Sequence, residues 1–241
     1  MLGQHGSPAH GVFDLDAYLA CVDDGAPFEN IELTEEDSFA APQGVPKGDY
    51  YMGCDLGYAR DPSEFVVYRV DGPDLVNVLR VHLAGVNYAK QQDVIAELDR
   101  AYAFCRIGID SGNSGRAVAH NLLHEGGAWP EKITAIEFGG TLSLAPHEDG
   151  TEHRRPTKAY MTELLERRIA ERTIIFPRLP EREAQYASHT YTVGQHGRII
   201  YDKGNDHLID ADRCALLAHY FDTQEVDIVH LGAPIDSFGQ Q

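Results

Sequence analysis

The chain has 241 residues, 43% of them hydrophobic, which is enough for one large domain or for a domain with an arm. Thirty-eight acidic residues against twenty basic ones give a formal charge of −18, a balance that opposes general attraction to nucleic acid. There is no signal-peptide pattern and no apolar run of ~18 residues, so neither secretion nor a membrane span is expected. Cys21, Cys54, Cys105 and Cys214 are scattered without zinc spacing and read as buried thiols in a reducing compartment.

Residues 1–48 are rich in Gly, Pro, Asp and Glu and read as an arm or linker, with one short helix within 11–21 and a linker over 34–48. The segments 50–57, 64–71 and 75–84 carry β-branched and aromatic residues separated by turn signals, which predicts an antiparallel meander. Val94, Ile95, Leu98, Ala101 and Tyr102 recur at helical spacing over 88–104. A strand is expected at 105–110, then a helix at 114–125 ended by Gly126-Gly127, then a strand at 132–138. The Gly-, His- and Pro-rich run 139–156 reads as a loop. Helix 157–172, a short strand 173–176, a hairpin over 185–201 turning at 194–197, and helix 207–222 complete the series. The domain is expected to span 49–224, with a tail at 225–241. The predicted class is α/β: a mixed sheet of antiparallel meander plus parallel strands, flanked by helices on both faces. This is the order used by ribonuclease H-like folds.

Three acids stand where that order brings them together. Asp55 ends the first long strand, Asp110 ends the strand at 105–110, and Asp210 lies in the first turn of the last helix. Like charges stay ionised together only with cations between them, so Asp55, Asp110 and Asp210 are candidate ligands for two divalent ions, Mg²⁺ or Mn²⁺. Such a pair, ~3.5–4 Å apart, generates a hydroxide and stabilises a leaving oxygen in phosphodiester cleavage. His207 precedes Asp210 by three residues on the same helix face and is placed to steer a water or shift a proton. Simpler roles compete: an Asx-turn at Asp55, a helix cap at Asp110, and an N-cap at Asp206. Asp61 reads as a turn residue that could also lie near the metals, and Asp212 as a solvated side chain.

The residues Arg154, Arg155, Lys158, Arg167, Arg168 and Arg172 form the one dense basic patch. With Glu163, Glu166 and Glu171 interleaved, it reads either as a salt-bridged helix surface or as a ridge contacting DNA phosphates. Arg198 on the 185–201 hairpin is a further DNA-contact candidate, while His189 and His196 there read as surface residues. His147 and His153 lack metal spacing. No Walker A motif is present.

Three stretches resemble the C-terminal nuclease domain of the large terminase subunit of tailed bacteriophages. Gly53-Cys-Asp-Leu-Gly-Tyr-Ala-Arg-Asp-Pro-Ser63 is similar to its first metal motif, Ile109-Asp110-Ser-Gly to its second, and Asp206-His-Leu-Ile-Asp-Ala-Asp-Arg-Cys-Ala-Leu216 to its third. The resemblance spans about residues 50–222. It implies that Asp55, Asp110 and Asp210 hold the metals, that His207 assists, and that Asp206 is a secondary candidate for the third acid. It implies an endonuclease that cuts concatemeric double-stranded viral DNA during packaging in the host cytoplasm. An ATPase domain, removed from this chain or separately encoded, a small terminase subunit and a portal are the implied partners. Junction resolvases, transposases and RNase H share the three-acid logic. A non-catalytic docking module of the packaging motor, and a sugar-kinase-like ATPase, are the readings from other classes.

Overall fold

The computed structural model describes residues 10–57, 61–112, 115–124, 129–144, 153–194, 199–202, 204–223 and 230–231. The described chain opens with β1 (His10–Gly11), α1 (Leu15–Leu19) and β2 (Glu29–Thr34). The long strands β3 (Tyr50–Asp55), β4 (Ser63–Asp71) and β5 (Asp74–Ala84) follow. Then come α2 (Tyr88–Tyr102), β6 (Arg106–Asp110), α3 (Gly115–His124), α4 (Trp129–Lys132) and β7 (Ile133–Ile136). The hairpin β8 (Thr141–Leu144) and β9 (His153–Pro156) runs directly into α5 (Thr157–Glu171). Beyond it lie β10 (Ile174–Ile175), α6 (Pro180–Ser188), β11 (Thr190–Val193), β12 (Ile199–Tyr201), α7 (His207–Thr223) and β13 (His230–Leu231).

The central sheet has the order β10-β5-β4-β3-β6-β7, with β2 also paired to β5. The meander β3-β4-β5 is antiparallel, while β6 joins β3 and β7 joins β6 in parallel. The outer edge of β5 is shared: β10 pairs with Leu75 and Val76, and β2 with residues 79–84, both in parallel. Met52, Cys54, Phe65, Val67 and Ile107 pack on one face against Val94, Ile95 and Leu98 of α2 and Val118 and Leu122 of α3. Val66 and Tyr68 pack on the other face with residues of α1, α5, α6 and α7. Helices therefore flank both faces of a mixed sheet, and the ribonuclease H-like class is correct.

The seat of α7 positions the site. Gly53 of β3 and Gly108 of β6 are register partners. A Cβ on Gly53 would stand 2.0 Å from the Ala211 carbonyl oxygen, and one on Gly108 2.2 Å from that of Cys214. Two adjacent bare strands thus let the backbone of α7 rest directly on the sheet. α7 is buried without a break from Leu208 to Ala218. Side chains alternate along a strand, so Asp55 and Asp110, each two residues past its glycine, face the same helix.

Several segments differ from the sequence expectation. Residues 10–34, read as arm, pack on the domain: β2 adds to the sheet, and Tyr18 of α1 is buried against Phe176 and Tyr186. The 139–156 stretch contains β8 and β9 rather than a loop alone, with Leu142 buried in a third apolar cluster. The hairpin expected over 185–201 is confined to β11 and β12, because Pro180 in the first turn with Glu181 and Glu183 starts the helix α6. Gly126-Gly127, His147, His196, Arg198 and most of the tail lie outside the described residues. All four cysteines are free, three of them buried and Cys105 partly so. Among the described residues, no helix is long and apolar enough to cross a membrane.

Candidate active site

Asp55 ends β3, Asp110 ends the neighbouring β6, and Asp210 descends from the first turn of α7. Burial pushes the Asp55 carboxyl up to about 6, with the charges of Asp210 and Asp206 adding and the His207 hydrogen bond opposing. Burial pushes Asp110 up to about 7, against the Gly112 N–H donated to its Oδ1 at 2.9 Å; the charges of Asp55 and Asp210 raise it further. Asp210 acts on both Asp55 and Asp110, and Asp55 on Asp110, which puts the three acids within one electrostatic neighbourhood. Asp110 accepts from Gly112, so it does form a local turn, and it also belongs to the cluster. His207 Nδ1 lies 2.7 Å from Asp55 Oδ2, and this contact holds its imidazole above the usual range despite burial. Asp206 lies at the entry to α7, where its carbonyl accepts the Asp210 N–H at 2.9 Å.

The cluster contains its own cations. Lys158 Nζ, from the first turn of α5, lies 2.9 Å from Asp210 Oδ2 and 3.2 Å from Asp206 Oδ2. Arg213 Nη1 donates to Asp210 Oδ1 at 2.5 Å, and its Nη2 donates to His189 Nε2 at 3.0 Å. His189 is only 4% exposed, not a surface residue as expected. Burial and the Arg213 charge hold its imidazole down to about 4, so it is neutral beside Asp206 and accepts from Arg213. Arg213 is capped by the Tyr201 ring at 5.4 Å, and Tyr201 stacks on His189.

Two further networks were not anticipated. Glu64 of β4 stands opposite Asp55 in register and is held by Arg80 at 2.8 Å through two nitrogens and by His82 at 2.7 Å. Burial pushes Glu64 up, but the hydrogen bonds from Arg80 and His82 outweigh it and leave the carboxyl below its usual value. Asp212, expected in solvent, is 0% exposed. It accepts from Tyr68 at 2.6 Å, Tyr186 at 3.0 Å and Arg182 at 3.3 Å. Arg182 also donates to Asn77, whose amide in turn bridges the Val67 and Leu79 carbonyls at the irregularity between β4 and β5. Asp212 is therefore a tie between α7, α6 and the sheet. Its position two residues from Asp210 fails as a guide to solvent because α7 is buried all round.

The remaining candidates disperse. Asp61 is exposed and, among the described residues, joins no ion pair or hydrogen bond of the cluster. Arg155 is engaged with Glu163 and the Tyr160 ring, and Arg154 is exposed on β9. Arg168 donates to the Pro73 carbonyl at the far end of α5, so of the described basic candidates Lys158 is the one seated among the acids.

Carboxylate oxygens suit hard divalent ions, and two carboxyls raised toward neutrality by burial and by neighbouring acids gain most from such a charge. The donor chemistry fits. Among the described residues no three His, Cys, Asp or Glu side chains yet close on a single point. Both oxygens of Asp210 are held, one by Lys158 and the other by Arg213.

The large terminase nuclease from thermophilic phage G20c with bound magnesium superposes with a TM-score of 0.58 at 17% identity, over 89% of this chain and 98% of that one. The fold is that of a large-terminase nuclease. The same terminase nuclease fold recurs in the Thermus phage P74-26 large terminase nuclease domain, with a TM-score of 0.58 at 15% identity, over 86% of this chain and 94% of that one. A large terminase from another thermophilic bacteriophage gives 0.59 at 15% identity, over 86% of this chain but only 44% of that longer one. No protein-family model and no curated protein sequence matches the chain.

Proposed function

We propose that the chain is a divalent-metal-dependent endonuclease, the cutting part of a phage DNA-packaging terminase that acts on concatemeric double-stranded DNA in the host cytoplasm. What supports this reading is that Asp55 ends β3, Asp110 ends the neighbouring β6 and Asp210 lies in the first turn of α7, within one electrostatic neighbourhood in which two of the three are pushed up to about 6 and about 7. Asp55, Asp110 and Asp210 would hold two ions, Mg²⁺ or Mn²⁺. When bound, such ions supply a hydroxide nucleophile and Lewis-acid stabilisation of the leaving oxygen. Asp55 orients His207 through Nδ1, which leaves Nε2 as the nitrogen that gives or takes a proton at the reacting phosphate. Arg213 fixes the Asp210 carboxylate by its Oδ1. An ATPase domain, small subunit and portal are the proposed partners, and the match to 44% of a longer phage large terminase supports the first of these.

The test is cleavage of supercoiled plasmid by the purified chain with Mg²⁺, Mn²⁺ or EDTA. Nicking and linearisation that require metal, and that fall at least ~100-fold in each of Asp55→Asn, Asp110→Asn and Asp210→Asn, are expected. A folded chain that cuts no DNA with any metal would instead be a docking module.

A further inference from the structure

Lys158 occupies the place of a cation. Its ammonium lies 2.9 Å from Asp210 and 3.2 Å from Asp206, and 5.2 Å above the Phe138 ring. Oxygen by oxygen, Asp55 Oδ2 is engaged by His207, Asp110 Oδ1 by the Gly112 N–H, and Asp210 Oδ1 by Arg213. Each of these contacts engages one carboxylate oxygen and leaves the second. Asp210 Oδ2 is the exception, since Lys158 holds it. A divalent ion on that oxygen would compete with the ammonium, because two like charges ~4 Å apart repel by several kcal/mol even at an intermediate dielectric. Other roles explain less. An ordinary surface ion pair is exposed and worth little, whereas the Lys158 side chain is only 23% exposed and is held by two carboxylates that are themselves largely covered.

We propose that Lys158 is a tethered counterion that competes with divalent metal for Asp210, neutralising the acids when metal is absent and swinging out when it binds. This rests on the nuclease reading of the same acids. It makes Lys158 a residue that sets metal affinity and, through it, the threshold at which the site assembles. Once released, its ammonium lies at the rim of the site, where a DNA phosphate would be its next partner.

The test is Mn²⁺ binding to the full chain, followed by electron paramagnetic resonance, for wild type, Lys158→Met, Lys158→Arg and Asp55→Asn. Lys158→Met is expected to bind Mn²⁺ at least ~10-fold tighter, because the competitor is gone, and Lys158→Arg to stay near wild type. A second readout needs no variant. In wild type, acetylation of Lys158 followed by mass spectrometry should speed up several-fold when Mn²⁺ is added, while Lys132, paired with Asp99, should not change. Equal or weaker Mn²⁺ binding by Lys158→Met, or Lys158 acetylation indifferent to Mn²⁺, would overturn the inference while leaving the nuclease reading intact. Wild type that binds no more Mn²⁺ than Asp55→Asn would overturn both.

Discussion

Protonation of Asp110 ties the stability of the metal-free chain to pH. Its carboxyl stands at about 7 in the folded chain, against an ordinary 3.8, chiefly because burial disfavours the ionised form. Between those values the folded state keeps a proton that the unfolded chain has released, so stability falls as pH rises through the window. His189 and His219, both pushed down to about 4 mainly by burial, act with the opposite sign below pH 6.5 and blur the net trend. The clean comparison is with Asp110→Asn, which cannot ionise. In EDTA, urea unfolding should show Asp110→Asn gaining on wild type by a few kcal/mol between pH 4 and 8, and a constant difference would refute the shift. A second residue-level expectation concerns Arg182, which is fully buried with Asp212. Arg182→Met leaves a buried carboxylate facing only two tyrosines and should cost about 3–5 kcal/mol in denaturant unfolding. Adding Asp212→Asn should return part of that loss, since the uncompensated charge is then removed.

At the level of elements, the site depends on how closely α7 approaches β3 and β6. Gly53→Ala and Gly108→Ala each add a Cβ within 2.0–2.2 Å of a helix carbonyl, which backbone cannot yield without α7 lifting. Each should cost about 3 kcal/mol or more and weaken Mn²⁺ binding, although every acid is kept. Preserved metal affinity in a destabilised Gly53→Ala would show that the seat and the site are independent. The meander, the β6 and β7 strands and helices α2 and α5 are legible because their apolar spacing is strong. The Gly-x-Asp spacing at 53–55 and 108–110 was equally present, and it marks which face each acid uses, but its meaning requires knowing that a helix lies there. In the sequence Lys158 belongs to a basic patch, because its acidic partners lie 48 and 52 residues away along the chain. Asp212 misleads because periodicity assumes a solvent side, and α7 has none among Leu208–Ala218. His189, at the C-terminal end of α6, is covered by Arg213 and Tyr201, which the local sequence does not place beside it. The pairing of β8 with β9 comes from tertiary context, which short four-residue strands do not announce.

Across the whole molecule, a formal charge of −18 sets the expected behaviour toward DNA. Phosphate contacts supply most nonspecific affinity, and here Arg155 is occupied by Glu163 and Lys158 by Asp206 and Asp210. Fluorescence anisotropy at physiological salt should give a dissociation constant for duplex DNA no tighter than ~10⁻⁶ M, and nanomolar binding would contradict this. The strand β2 has a different consequence. It zips onto residues 79–84 of β5 and so covers the backbone donors and acceptors along half of the sheet's outer margin. A fragment trimmed to begin at residue 49 would keep every candidate ligand yet bare that margin, a ready template for another chain. Sedimentation should find such a fragment self-associating where the chain from residue 10 stays monodisperse. On that expectation β2 works as a built-in guard, keeping the sheet from recruiting its neighbours.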